Sequence, residues 1–170
     1  GLKKLHPFDI NKYSSIHGRL MNEGIISAED VISPEAVTDE QLRLVHTQEF
    51  MAGLKDASTV ARFLEASWVA MFPLALLERC VLTPLRYATG GTIVACRQAL
   101  QRKSLVINLG GGFHHAKPFQ GEGFCVFADM PIAISVLRKE KLVKRVLVVD
   151  LDVHQGNGTA LCCAKDEDTY

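Results

Sequence analysis

The chain carries two kinds of hydrophobic pattern. Apolar residues four apart, followed by Gly24, predict a helix over residues 11–23. Two continuous apolar runs, SLVINL at 104–109 and KRVLVVDLD at 144–152, instead predict strands buried within a parallel sheet. Glycine or polar residues follow each run and mark the point where a strand would give way to a turn.

Other segments carry helix signals. Thr38 and Gln41 have the spacing of a capping box, which predicts a helix start. Asp129 precedes an amphipathic pattern, so we expect it to cap a crossover helix. Further helices are predicted over 47–80 with a break near Pro73, over 90–102 and over 157–164. Strand, helix and strand in this order form a βαβ unit, which predicts an α/β fold with a mainly parallel sheet.

The predicted sheet has few strands for an open parallel sheet. Two strands are clear, and a third could begin at KDEDTY, residues 165–170. A sheet that stopped there would leave an edge uncovered. We therefore expect the chain to be part of a domain that further residues, or another polypeptide, complete.

Composition and charge narrow the class of protein. The 170 residues are 48% hydrophobic and 22% charged, as in an ordinary globular domain, and the formal net charge is zero. Without a basic excess, direct binding to nucleic acid is not expected. The longest apolar stretch, WVAMFPLALL at 68–77, is too short to span a bilayer, so no transmembrane segment is expected. The five cysteines lack C-x-x-C spacing, which favours reduced thiols in the nucleus or cytoplasm.

Acidic and histidine residues alternate at the end of the second apolar run, at Asp150, Asp152 and His154. Every second side chain of an extended segment lies on the same face, and open α/β sheets bind ligands at this end of their strands. Carboxylate and imidazole two residues apart suit zinc, although such residues are also common in surface turns. Asp150 lies within the apolar run, so its charge needs a partner. A catalytic zinc needs about three protein ligands, and only Asp152 and His154 are evident here.

A glycine-rich turn with two adjacent histidines, LGGGFHHA at 109–116, follows the first apolar run. Adjacent side chains point apart by about 180° on a strand and about 100° on a helix. The glycines allow positive φ and close backbone approach, so the turn could direct His114 and His115 into one cavity. The alternatives are a pair of packed histidines or a phosphate-binding turn. The stretch matches neither G-x-G-x-x-G nor the P-loop pattern.

The two histidines are expected to have different partners. A carboxylate such as Asp150 would favour a protonated imidazole, whereas the neutral Asn157 would leave its histidine nearer neutrality. Such a pair can divide acid and base roles beside a metal that polarises a carbonyl, which predicts hydrolysis. Gly123 and Phe124 could place an aromatic wall on a narrow apolar slot, or Phe124 could belong to the core.

Two long motifs, LGGGFHHAKPFQGEGFCVFADMPIAI and VLVVDLDVHQGNGT, occur in this order, after the shorter pieces KLHPFD, LVHTQEFMAGL and YATGGTIVACRQAL. Together they resemble the histone deacetylase superfamily, whose fold is the arginase-like, three-layer α/β fold. Several of the pieces are most similar to the class IV enzymes and their bacterial relatives. The resemblance covers nearly the whole chain.

The resemblance implies a metal centre and a proton-transfer residue. Asp152 and His154 match the first two zinc ligands of the family, and Asp150 with neighbouring backbone matches its potassium site. His115 matches the general base that later acts as an acid. Asn157 matches the partner of that base, a position where some branches carry aspartate.

The resemblance also implies a substrate channel. Gly123 and Phe124 match the pair that lines the channel for the acyl-lysine side chain, and we assign Gly112 to the same channel. His114 matches the electrostatic neighbour of the general base, with Asp150 as its expected partner. The family's third zinc ligand, an aspartate, and the tyrosine that polarises the carbonyl find no match in this chain.

We therefore expect residues 1–170 to form the N-terminal part of a single catalytic domain. The implied function is zinc-dependent removal of acyl groups from the ε-amino group of lysine, in histones or other proteins. One alternative is a truncated, non-catalytic interaction module. Another is an amidohydrolase that acts on a small acylated amine.

Overall fold

A computed structural model describes residues 11–170. These residues divide into two compact units, 11–34 and Glu35–Tyr170. The first unit contains helix α1, Lys12–Asn22, and a short 3₁₀ turn, Ala28–Asp30. Gly24 follows α1 with φ +66°, so the predicted helix and its glycine stop are confirmed. The KLHPFD piece lies outside the described residues.

The second unit is built mainly from helices in the part of the chain that the structure describes. They are α2 (Asp39–Leu42), α3 (Gln48–Gly53), α4 (Ala57–Phe63), α5 (Leu74–Leu77), α6 (Thr83–Arg102), α7 (Asp129–Lys139) and α8 (Asn157–Cys163). A 3₁₀ turn, Ser67–Met71, precedes Pro73, and a π-helical turn, Glu78–Leu82, joins α5 to α6. The predicted break near Pro73 is therefore confirmed. So is the capping box, because Gln41 N donates to Thr38 Oγ1 over 3.2 Å and Thr38 N donates to Gln41 Oε1 over 2.9 Å.

Helix α6 begins earlier than the sequence pattern predicted, at Thr83 rather than near residue 90. Gly90 and Gly91 both lie inside the helix, where neighbouring groups approach the helix backbone closely. A Cβ atom on Gly90 would lie 1.9 Å from the carbonyl oxygen of Glu35, and one on Gly91 would lie 2.8 Å from Oδ1 of Asn108. These two glycines therefore allow other segments to pack closely against the middle of the helix.

Helix α7 forms as predicted, but its cap was assigned wrongly. Asp129 is the first helical residue and Ala128 is the cap, with no side-chain capping bond. The Asp129 carboxylate is fully buried and turns towards other segments. Helix α7 packs on α6 and contributes Ile132 and Val136 to a core that also contains Phe127.

Neither apolar run forms a strand in the described residues. The second run makes an isolated parallel bridge from Val146 to Thr169, in which Val146 N donates to Asp168 O over 2.9 Å. The parallel sheet is therefore not confirmed, and the predicted burial of the runs is wrong for this chain. Leu105 is 89% exposed and Leu151 is 91% exposed, because none of the residues 11–170 covers these side chains. Among the same residues, no helix combines the length and apolar character that crossing a bilayer requires.

Candidate active site

A buried carboxylate fixes the glycine turn to the helices. Asp129 accepts hydrogen bonds from the backbone N–H groups of Gly112, over 2.9 Å, and Phe113, over 2.7 Å. It also accepts from the Thr92 hydroxyl on α6 over 2.6 Å, and that hydroxyl accepts from Asn108 Nδ2 over 2.8 Å. The sequence analysis missed this role because the contacts join segments far apart in the chain. A carboxylate beside an apolar helix was the available signal, since it must find partners when buried.

Only one of the three glycines in the turn uses the left-handed region. Gly112 has φ +92°, which favours glycine. Gly111 is needed for a different reason, because a Cβ atom there would lie 2.6 Å from the Thr92 hydroxyl oxygen and 2.8 Å from Asp129 Oδ2. The turn thus needs glycine at two positions: Gly112 for its positive φ, and Gly111 for its close approach to the buried carboxylate.

The turn places the two histidine rings side by side. Their centroids are 4.1 Å apart and their planes are inclined by 51°. His114 is 8% exposed, and its Nδ1 lies 2.7 Å from Oδ2 of Asp150. A carboxylate can only accept, so this nitrogen carries a proton. The hydrogen bond from His114 lowers the pKa of Asp150, with a smaller contribution from the backbone N–H of Asp152.

The second histidine faces a neutral amide. Nδ1 of His115 lies 2.8 Å from Oδ1 of Asn157. The same oxygen accepts from the backbone N–H of Gly158 over 2.9 Å, so the amide presents its carbonyl end to the ring. Because a carbonyl oxygen accepts, Nδ1 of His115 must donate, and in the neutral imidazole Nε2 then keeps a free lone pair. His115 therefore has the tautomer that a general base requires.

Gly123, one of the residues assigned to the channel, lies against the His115 ring. A Cβ atom on Gly123 would stand 2.5 Å from Cδ2 of His115, so only glycine lets the backbone approach the ring this closely. Gly123 and Phe124 both have positive φ, +54° and +64°. The backbone N–H of Gly123 donates to Glu65 over 3.0 Å, a contact that sequence reasoning did not find. The sharp turn beside His115 is thus held by Glu65, which lies just after the end of α4.

The predicted metal ligands are neighbours on an exposed segment. Asp152 Oδ1 lies 2.9 Å from His154 Nδ1, and the two side chains are 50% and 72% exposed. A carboxylate oxygen and an imidazole nitrogen are donor types that zinc accepts, so these two side chains could supply two of its ligands. The His154 ring lies 5.9 Å from that of His115, centroid to centroid. The donor atoms suit zinc, but no group of three His, Cys, Asp or Glu residues within 11–170 is placed to hold a metal.

Asp150 lies beside this pair but is not buried as the sequence pattern predicted. It belongs to the exposed run, and its charge is offset by His114 rather than by enclosure in a sheet. Its Oδ1 accepts from the backbone N–H of Asp152 over 3.0 Å. Gly156 makes room for it, because a Cβ atom there would lie 2.3 Å from Asp150 Oδ2. The assignment of Asp150 to a potassium site stays a prediction.

Residues 6–170 match the histone deacetylase domain, and the chain belongs to that family. It is 38% identical over its full length to a protein named Histone deacetylase 2 from Arabidopsis thaliana. It is 30% identical over 90% of its length to the acetoin utilization protein AcuC of Bacillus subtilis strain 168. The chain covers 44% of the first relative and 40% of the second, so it spans about half the length of the curated relatives it matches.

Solved structures share the fold. A histone deacetylase homologue from Aquifex aeolicus gives a TM-score of 0.67 at 24% identity, over 86% of this chain and 40% of that one. The HDA15 HD domain gives 0.71 at 22% identity, over 96% of this chain and 45% of that one. At these identities the structures establish a common fold and no more.

Proposed function

We propose that this chain supplies the proton-transfer half of a zinc-dependent hydrolase that removes acyl groups from the ε-amino group of lysine in proteins. The observation that carries the proposal is the defined tautomer of His115, whose Nδ1 donates to Asn157 and whose Nε2 is free. The name of the Arabidopsis relative supports an acylated lysine in a histone or another protein as the substrate.

In the proposed reaction His115 moves the protons. Its Nε2 takes a proton from the water that attacks the acyl carbonyl and later gives it to the departing lysine amine. His114, paired with Asp150, is held next to it and favours the developing negative charge. Asp152, His154 and a third ligand not matched in residues 1–170 would hold zinc. The metal would polarise the carbonyl and lower the pKa of water.

The residues of the proposed channel orient the substrate. Gly123 stands beside the His115 ring, Phe124 follows it, and Gly112 lies in the turn that carries both histidines. We propose that the acyl-lysine side chain enters along these residues and that its amide reacts at Nε2 of His115. We further propose that potassium binds at Asp150, where it would oppose the local negative charge of the carboxylates.

A second candidate substrate is a small acylated amine. The resemblance to AcuC, a protein named for acetoin utilization, favours it. Peptide and small-molecule substrates would meet the same His115 and differ only at the rim of the channel. A non-catalytic interaction module is the remaining alternative, and it predicts neither zinc binding nor hydrolysis.

The test replaces His115 by alanine in the complete protein that contains residues 1–170. We expect hydrolysis of an acetyl-lysine peptide to fall by about 10²–10⁴-fold, because a general base is removed. Zinc content, measured by atomic absorption, should remain, since His115 is not a ligand. The matched variant His154→Ala should lose zinc and activity together.

Wild-type turnover in the His115→Ala protein would overturn the assignment. Absence of both zinc and turnover in the parent protein would favour the interaction module. Faster cleavage of an acetylated polyamine than of the peptide would select the second substrate class.

A further inference from the structure

A second carboxylate lies behind the proposed base. Nδ2 of Asn157 donates to Oε1 of Glu122 over 3.1 Å, on the side of the amide that faces away from His115. The other oxygen of Glu122 is paired with the ammonium group of Lys117. Glu122, Asn157 and His115 thus form a continuous chain of hydrogen bonds, of which only the last two members were recognised from the sequence.

The orientation of the Asn157 amide decides which nitrogen of His115 is basic. If the amide rotated by 180°, its N–H₂ group would face the ring, so Nδ1 would have to accept and the proton would move to Nε2. The lone pair at Nε2 would then be lost. A rotated amide would also place its N–H₂ group against the N–H of Gly158 and its oxygen against Glu122. Glu122 makes this rotation unfavourable because two acceptors would meet.

We propose that Glu122 is a positioning residue that locks the Asn157 amide and thereby holds His115 in the Nδ1–H tautomer. The role in catalysis rests on the proposed function, whereas the lock itself is a property of the hydrogen bonds. No charge is placed next to the imidazole, as a directly paired aspartate would do. The Glu122 carboxylate does not touch His115; it acts through Asn157 and sets the orientation of that amide.

Glu122 is itself held in place. Its backbone N–H donates to Cys125 O over 3.0 Å, and its carbonyl accepts from Cys125 N over 2.8 Å. The Cys125 side chain is buried, so this tight turn is anchored in the protein. The hydrogen bond from Lys117, followed by that from Asn157, lowers the pKa of Glu122, which is therefore an acceptor at neutral pH.

The test replaces Glu122 by methionine in the complete protein and reads the His115 ring directly. Histidine labelled with ¹⁵N, at pH 8 and assigned by the loss of signal in His115→Gln, reports which ring nitrogen carries the proton. We expect the parent protein to show Nδ1–H and the Glu122→Met variant to show a mixture with Nε2–H. The kcat for acyl-lysine hydrolysis should fall by about 10-fold with little change in KM, the size seen when an outer partner of a site residue is removed.

Two further variants separate positioning from folding. Glu167→Met removes an exposed glutamate elsewhere and should change neither the ring signals nor kcat. Asn157→Asp places two equivalent oxygens beside the ring, so no orientation is left to lock. In that background Glu122→Met should cost no activity and leave Nδ1–H intact, which a merely structural role for Glu122 would not produce.

An unchanged tautomer in Glu122→Met would overturn the proposal, as would an equal loss of kcat with and without Asn157→Asp. If the parent protein hydrolyses no acyl-lysine while the ring signals still shift, the proposed function fails and the lock stands.

Discussion

The two halves of the candidate site are held in contrasting ways. The turn with the histidines, residues 110–116, is tied to α6 and α7 through Asp129, and its His114 and Ala116 are buried. In the run with the predicted metal ligands, residues 147–154, every residue except the half-buried Val148 is exposed. The other apolar side chains of the run are 67% to 93% exposed. The first segment finds its partners inside the helical region. The second is held by hydrogen bonds within the run, by His114, and by the bond that Val148 N donates to Tyr170 O over 2.8 Å.

This difference separates the two chemical tasks of the site. Proton transfer needs a base in one tautomer, and the contacts around His115 supply it within a single packed region. Metal binding needs ligands from several segments, and here Asp152 and His154 lie on an exposed run. Under the proposed function, we therefore expect the packing of the helical region to govern the acid–base chemistry, and contacts that cover the run to govern metal affinity.

The largest expected effect comes from removing the buried anchor of the turn. Asp129→Ala leaves the N–H groups of Gly112 and Phe113 and the hydroxyl of Thr92 without their acceptor. Each buried group left unsatisfied costs about 1–3 kcal/mol, so we expect the free energy of unfolding to fall by about 4 kcal/mol. Urea unfolding followed by circular dichroism measures this loss.

The matched control is an exposed carboxylate with a similar task. Asp56 caps α4, where it accepts from the N–H of Thr59 over 2.8 Å. Asp56→Ala should lower the free energy of unfolding by about 1 kcal/mol, because water replaces the lost acceptor. Equal losses in Asp129→Ala and Asp56→Ala would contradict the view that the histidine turn is specially anchored.

A smaller effect concerns a buried histidine behind the turn. Nε2 of His46 accepts from the N–H of Ala128 over 3.1 Å, and Nδ1 donates to Pro118 O over 3.3 Å. Its ring stacks on Phe50 with centroids 4.0 Å apart. Burial lowers the pKa of His46 from 6.5 to about 4, so the folded protein keeps the ring neutral.

Because of this low pKa, the folded protein loses stability as the pH falls below 6.5. Below pH 6.5 the unfolded chain binds a proton that the folded protein does not, so stability present above pH 6.5 is lost as the pH falls towards 4. The loss is on the order of 3 kcal/mol. His46→Gln keeps a donor and an acceptor but does not titrate, so its free energy of unfolding should fall less between pH 6.5 and pH 4. An unchanged slope in His46→Gln would refute this assignment.

Local signals in the sequence predicted more of this molecule than long-range ones. The capping box of Thr38 and Gln41 and the stop at Gly24 depend on residues within one turn of each other, and both are present. The close approaches at Gly90 and Gly91 of α6 and the anchor at Asp129 involve residues far away in the chain. Nothing in the spacing near Asp129 distinguishes a carboxylate that caps its own helix from one that turns towards another segment.

The candidate site was predictable where its residues are close together in the sequence. Adjacent histidines after glycines led to the paired rings, and the alternating Asp152 and His154 lie in contact. The burial of the apolar runs was not predictable in this way, because a strand is buried only when other segments cover it. Glu122 was missed because its role arises from a contact with Asn157 across 35 positions.

The smallest expected effect is on the free energy of unfolding when an apolar side chain of the exposed run is shortened. Leu151→Ala should change the free energy of unfolding of residues 1–170 by less than about 0.5 kcal/mol, because the side chain is already 91% exposed. The matched change Leu137→Ala, at a side chain of α7 that is 4% exposed, should cost about 3 kcal/mol. A loss above about 1 kcal/mol for Leu151→Ala in this chain would contradict the exposed placement of the run. Repeating the pair of substitutions in the complete protein tests the predicted sheet, because a segment that covers the run would bring the cost at Leu151 close to that at Leu137.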